Sequence, residues 1–302
     1  MKIYCDVLHV PYLHNLVVAF PEYTFLTPDW TALREKPDNL VVVNAEEYRR
    51  KPMDVVIDSK RDFINFDRPC RVRVKLLHME RGANSDHDET FIPECIQRAH
   101  AVVSVSEHKM WTFGESATKP TVVAIPFGVC AIQIGTPQPG LVGTLYQAMN
   151  DQQSRVWSHI LKHFPDAELT GFGNPFPSFE PKVYRELNER FSRMDVFVHT
   201  VVGNSVGLSF AEAMMRGIPV VTGMNLDLPK ELASGWNCVI TRGHAYDCLD
   251  EMVESIKMLI SDRKKRMRMG NAARETAKRI WGLDTFRTNW NHVFHNRLGS
   301  IL

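Results

Sequence analysis

Residues Asp195–Thr222 read DVFVHTVVGNSVGLSFAEAMMRGIPVVT. The apolar run through Val196 and Val198 predicts a buried strand, Asn204 and Ser205 form a polar lead-in, and a helix begins near Gly207 and Leu208. Gly217 and Pro219 end that helix sharply, because glycine accepts a left-handed C-cap and proline cannot continue the turn. Ile218–Thr222 then starts a second strand. The order strand, glycine turn, helix, strand sets a helix N-terminus above a sheet. The unpaired N–H groups and positive dipole end of such a helix suit a phosphate. One turn in, Glu212 stands out as acidic among Ala211, Ala213, Met214 and Met215.

Working outward, strand-like runs fall at Lys2–Val7, Leu40–Val43, Asp54–Ile57, Arg71–His78, Ala101–Val105 and Thr121–Ile125. A second set falls at Leu141–Thr144, Ala167–Thr170, Asp195–His199 and Ile218–Thr222. Helical or mixed segments between them predict α/β lobes with mostly parallel sheets. The turn-rich Gly135-Thr-Pro-Gln-Pro-Gly140 marks a boundary near residues 126–140. A length of 302 residues suits about two domains of ordinary size.

Six cysteines, Cys5, Cys70, Cys95, Cys130, Cys238 and Cys248, lack C-x-x-C spacing, so neither zinc nor a disulfide framework is indicated. Reduced thiols and the absence of a spanning apolar run lead to the expectation of a soluble, cytoplasmic protein without a membrane-spanning segment. A helix near Ala245–Ile260 is followed by Asp262–Arg279, which carries Arg263, Lys264, Lys265, Arg266, Arg268, Arg274, Lys278 and Arg279. With a net charge of only +1, this cluster reads as a solvated helix face rather than a nucleic-acid surface. Period-two alternation puts Arg71, Arg73 and Lys75 on one face of their strand. That stripe reads as a charge-protected edge strand or a protruding strand start, or alternatively as a contact for an anionic acceptor.

The central stretch resembles the retaining, family 4-like glycosyltransferases of the GT-B fold, whose pattern is E-x-F-G-L-x-x-x-E-A-M-A-x-G-x-P-V-V. Here it reads N-S-V-G-L-S-F-A-E-A-M-M-R-G-I-P-V-V, matching at Gly207, Leu208, Glu212, Ala213, Met214, Gly217, Pro219, Val220 and Val221. Ala101–Ser106, the Ile125-Pro-Phe-Gly128-Val turn and Leu169-Thr-Gly171-Phe-Gly173 resemble further family segments more loosely. The resemblance implies two Rossmann-like lobes with parallel sheets facing a central cleft. An acceptor-side lobe spans 1–134 and a nucleotide-sugar lobe 135–284, while residues 285–302 cross back to the first lobe. The aromatic run from Trp281 to Phe294 resembles that crossing segment.

By resemblance, Glu212 is the second acid of the E-x7-E pair and binds the donor ribose. Alternatively, Ser209 and Glu212 form an S-x-x-E capping box. Asn204 occupies the first acid's place, where it can hold a sugar but adds no negative charge; with Ser205 it is equally a helix lead-in or N-cap. The family's diphosphate-clamping Arg and Lys are missing from Val142–Met149, with Thr144 and Met149 near their places. The diphosphate would then rest on Gly207, Leu208 and Ser209 amides and the Thr144 hydroxyl, with a cation such as Arg155 or Lys230 from elsewhere. Gly143, Gly171 and Gly173 border the nucleotide. His78, which ends the Arg71–His78 strand, is the expected catalytic-edge histidine, with a structural histidine as the alternative, and Glu80, His108 and His9 are expected acceptor contacts.

These readings imply transfer of a sugar from a nucleoside diphosphate sugar, with UDP favoured, to an acceptor hydroxyl with retention. The donor is a co-substrate, and no metal or other cofactor is expected. The acceptor is open and includes DNA bearing a hydroxymethylated base, flipped out to reach the cleft. The rivals are a silent nucleotide- or sugar-binding protein of the same fold and a phosphorylase or epimerase of the same two-lobe architecture.

Overall fold

The computed structural model describes residues 1–6, 10–28, 30, 35–44, 53–58, 70–77, 99–106, 122–126, 128–130, 134–146, 151–171, 181–200, 206–225 and 228–297. The chain divides into two compact units, Met1–Cys130 with Gly282–Leu302, and Ala131–Trp281.

Among its described residues the first unit holds β1 (Lys2–Asp6), α1 (Val10–Ala19), β2 (Thr24–Thr27), β3 (Leu40–Val42), β4 (Met53–Asp58), β5 (Cys70–Leu77), β6 (Ala101–Ser104) and β7 (Val122–Ala124). All pair in parallel, in the order β3-β2-β1-β4-β5-β6-β7. The four-residue β2 was not among the expected strands. Only Phe25 and Leu26 stand between Thr24 and Thr27, so the apolar run is too short to mark a strand. β5 lies between β4 and β6, which corrects its reading as an edge strand. Its start does extend beyond β6, because β4 pairs from Cys70 onward whereas β6 joins only at Val74.

The terminal segment belongs to this first unit as α7 (Leu283–Asn291) and a π-helical turn, His292–Arg297. Trp290 Nε1–H donates to the buried Tyr12 hydroxyl at 3.2 Å, and Phe286 meets the Tyr12 ring edge-on. Arg287 donates to Ala19 O at the C-terminus of α1 and to Glu22. An aromatic helix face is thus fastened onto α1 by packing and by satisfied polar tips.

The second unit has β8 (Val142–Tyr146), α2 (Asp151–His163), β9 (Glu168–Gly171), α3 (Pro181–Arg193), β10 (Val196–His199), α4 (Leu208–Arg216), β11 (Val220–Thr222), β12 (Val239–Ile240), α5 (Leu249–Ser261) and α6 (Arg263–Trp281). Its parallel sheet runs β12-β11-β10-β8-β9, with a topological switch between β8 and β10. Open α/β sheets bind ligands outside the carboxyl ends of the strands at such a switch. Val142, Val196, Val198 and Val221 from the sheet pack with Trp157, Ile160, Met252, Ile256, Leu259 and Met269 from the helices.

Arg266 is buried, which corrects its placement on a solvated basic face. Its Nε–H pairs with Asp195 Oδ1 at 2.8 Å, and Nη1 donates to Leu259 O and Ile260 O at the end of α5. Asp195 Oδ2 also accepts from Gly140 N–H at 2.8 Å. Its neighbours Arg263, Lys264 and Arg268 are exposed, as the solvated-face reading expects. Arg266→Met should therefore cost about 3–5 kcal/mol by leaving a buried carboxylate unmatched. Arg268→Met should stay within about 0.5 kcal/mol of the parent. Urea unfolding of the two variants checks this, and equal effects would contradict it.

Candidate functional site

Helix α4 emerges from the loop after β10, at the carboxyl side of the β8/β10 switch. Its N-cap is Gly207, in extended geometry and without a side-chain cap bond. The first backbone bond closing the turn runs from Phe210 N–H to Gly207 O at 3.1 Å. The helix itself therefore does not use the N–H groups of Gly207, Leu208 and Ser209. With the N-cap at Gly207, Ser209 lies inside the helix and the Ser209–Glu212 capping box is not formed, which corrects that reading. At the other end Gly217 takes a φ of 76° and caps the helix through its N–H.

Gly217 has a second job. An added Cβ on Gly270 of α6 would fall 2.1 Å from Gly217 O, so the two helices approach backbone to backbone. Phe210, Ala211, Ala213 and Met214 bury the inner face of α4. Glu212 is 9% exposed, and its carboxylate lies 4.0 Å from the Arg216 guanidinium one turn on. Arg216 in turn stacks over Phe191 and bonds Asn188.

Gly143 and Thr144 lie in β8, Thr144 buried. A Cβ on Gly143 would strike Met194, so close packing already accounts for that glycine. Gly171 ends β9 and pairs with Tyr146 at the end of β8, on the same carboxyl edge as α4. Leu208 and Ser209 are half-buried in the first turn. Arg155, on α2, and Lys230 are exposed. His9, His78, Glu80, His108, Gly173, Asn204 and Ser205 lie outside the described residues.

The residue that sequence reasoning missed is His199, the last residue of β10. It is 1% exposed, its ring meets Phe210 edge-on, and its Nδ1 lies 3.1 Å from Thr222 Oγ1. Among the described residues its Nε2 has no hydrogen-bond partner. Nε2 lies 4.0 Å from where a Cβ on Gly207 would stand, and Ser209 Oγ lies 3.6 Å from the same point. An unmet buried ring nitrogen costs about 1–3 kcal/mol. The available signal was a polar residue closing an otherwise apolar strand just ahead of a glycine turn and helix.

Against known proteins, residues 176–276 match the family model described as Glycosyl transferases group 1. The matched residues lie within the second unit. The chain is 33% identical over 166 residues to sulfoquinovosyl transferase SQD2 of Arabidopsis thaliana, covering 49% of this chain and 32% of that protein. It spans about a third of the length of that curated relative. Among solved structures, sucrose-phosphate synthase of Thermosynechococcus elongatus superposes with a TM-score of 0.74 at 12% identity, over 99% of both chains. HepE of Anabaena in complex with UDP-glucose gives 0.69 at 15% identity, over 98% of this chain and 99% of that one. A glycosyltransferase from Rickettsia africae gives 0.68 at 11% identity over 98% of both. At these identities the likeness is one of fold, two Rossmann-like α/β units.

Burial pushes the His199 imidazole down from 6.5 to about 4. In the unfolded chain it takes up a proton below pH 6.5, whereas the folded protein resists until about 4. Stability should therefore fall as pH drops through that window, by about 3 kcal/mol in all. His199→Phe should lack that part of the acid limb in thermal melts between pH 7 and pH 4. Parallel curves for variant and parent would contradict the burial argument.

Proposed function

We propose that the chain is a glycosyltransferase that moves a sugar from a nucleoside diphosphate sugar, UDP-sugar foremost, to an acceptor hydroxyl with retention at the anomeric carbon. The observation that carries this reading is α4. Its N-terminus stands at the carboxyl edge of the switch point, inside the segment that matches the glycosyl transferases group 1 model. HepE, one of the fold's neighbours, was solved with UDP-glucose, and the curated relative is a sulfoquinovosyl transferase. Both accord with a sugar nucleotide as donor.

In this reading the donor diphosphate rests on the Gly207, Leu208 and Ser209 amides. As the bond from the anomeric carbon to the diphosphate oxygen breaks, the electron pair stays on that oxygen. The amides and the helix dipole stabilise the growing charge without reorganising, so no metal or other cofactor is required. Glu212, one turn in and 4.0 Å from the Arg216 guanidinium, accepts from the ribose hydroxyls. Asn204 contacts the sugar, and His78 serves the acceptor side. The remaining work is orientation of donor and acceptor.

A silent nucleotide-binding protein is the second reading, favoured by Asn204 in place of an acid and by Thr144 and Met149 where cations are expected. Incubation with UDP-, GDP-, ADP- and dTDP-sugars separates the two. The transferase reading expects thermal stabilisation and slow release of nucleoside diphosphate by one donor, accelerated by an acceptor. Acceptors to try include small alcohols and DNA with hydroxymethylated bases. Stabilisation without release points to the silent binder.

Glu212→Ala should weaken binding of the ribonucleotide about 10-fold or more, since hydrogen bonds to a charged group are worth about 1.5–3 kcal/mol. Binding of the 2′,3′-dideoxy analogue should change much less. Equal losses for both nucleotides, measured by calorimetry, would assign Glu212 to the Arg216 pair alone.

A further inference from the structure

We propose that His199 is a phosphate-binding residue: its Nε2–H, the Ser209 hydroxyl and the first amides of α4 together hold the anionic end of a nucleoside diphosphate. The assignment rests on the donor reading above and adds a residue to it. The N-terminus of α4 offers N–H groups that the helix does not use. Independently of them, a side chain 99% buried brings to the same place a nitrogen that has no partner among the described residues. Nε2 and Ser209 Oγ lie 4.0 and 3.6 Å from one point, the place a Cβ on Gly207 would take, and they converge there with no closer atom among the described residues.

The proton on Nε2 has a source of control in Thr222. Its Oγ1 lies 3.1 Å from His199 Nδ1 and 3.2 Å from Gly223 O. When the hydroxyl donates to Gly223 O, Nδ1 carries the ring proton and Nε2 presents a lone pair. When the hydroxyl turns to donate to Nδ1, the proton stands on Nε2, which then donates toward the helix N-terminus. A phosphate oxygen favours the second arrangement, because every group around it is then a donor. A phosphate in this position would also end the lack of a partner at Nε2.

Three variants test the assignment by calorimetry against UDP, GDP, ADP and dTDP, with the matching nucleosides as controls. His199→Phe preserves the ring's bulk beside Phe210 and removes both nitrogens. It should weaken the nucleoside diphosphate about 10-fold or more while leaving the nucleoside unchanged. His199→Gln, whose amide nitrogen replaces Nε2–H, should recover most of the affinity. Gly207→Ala puts a methyl group into the shared space with no clash among the described residues. It should weaken the diphosphate without lowering the melting temperature, so the proposal stays testable if His199→Phe does not fold. In nitrogen-15 spectra, the His199 ring should shift to the Nε2–H tautomer when the diphosphate is added. Full affinity in His199→Phe, or in Gly207→Ala if the former does not fold, overturns the assignment and leaves the donor reading intact. The same holds for equal losses of diphosphate and nucleoside. Failure of the parent protein to bind any of the four diphosphates overturns both.

Discussion

A carboxylate taken out of water must be matched, and in the second unit the match is Arg266 to Asp195. Asp195 opens β10 and also receives the Gly140 amide, while Arg266 covers the last carbonyls of α5 as α6 begins. One buried pair therefore locks the start of the central strand, the turn leading into β8 and the α5–α6 junction. Such a pair adds little net stability by itself, but removing either half leaves an unpaired buried charge. That penalty holds β10 in its register. His199 and the start of α4 follow from the opposite end of the same strand.

From that end the chain must reach α4, and α4 is placed by two approaches that only small residues permit. Gly217 turns the backbone out of the helix at positive φ, and Gly270 lets α6 come within backbone contact of it. With Phe210, Ala211 and Ala213 packed inward, the helix cannot rotate without opening voids. Its N-terminus consequently stays fixed at the carboxyl side of the β8/β10 switch. His199, held by Thr222 and Phe210, adds a side-chain nitrogen there.

Glu212 illustrates how one residue serves two demands. The Arg216 guanidinium 4.0 Å away keeps its charge tolerable at 9% exposure, so an acid can stand on a mostly apolar helix. A carboxylate accepts hydrogen bonds at two oxygens, so one side chain can meet more than one donor. In the proposed reaction the other donor is the ribose, and the diphosphate one turn earlier falls to neutral donors. This division makes the phosphate subsite dependent on geometry more than on formal charge, since His199 is neutral at ordinary pH.

The sequence by itself determined the element order, because periodicity, glycine caps and proline stops are local signals. The helix from Leu208 to Arg216, its Gly217 stop and the flanking strands were all legible, as was the resemblance carried by Gly207, Leu208 and Glu212. Short or mixed strands such as Thr24–Thr27 and Val239–Ile240 were not, because their pairing is set by neighbours far along the chain. Arg266 looked like one cation in a row of eight, and burial depends on what α6 packs against rather than on spacing. The charged strand β5 looked like an edge until β6 took its place beside it. Only the tertiary structure decided that Gly207 is the N-cap, that Glu212 meets Arg216, and that His199 brings to the head of α4 a nitrogen with no partner among the described residues. Each depends on distances between atoms that the folded sheet brings together, which a pattern along one chain does not encode.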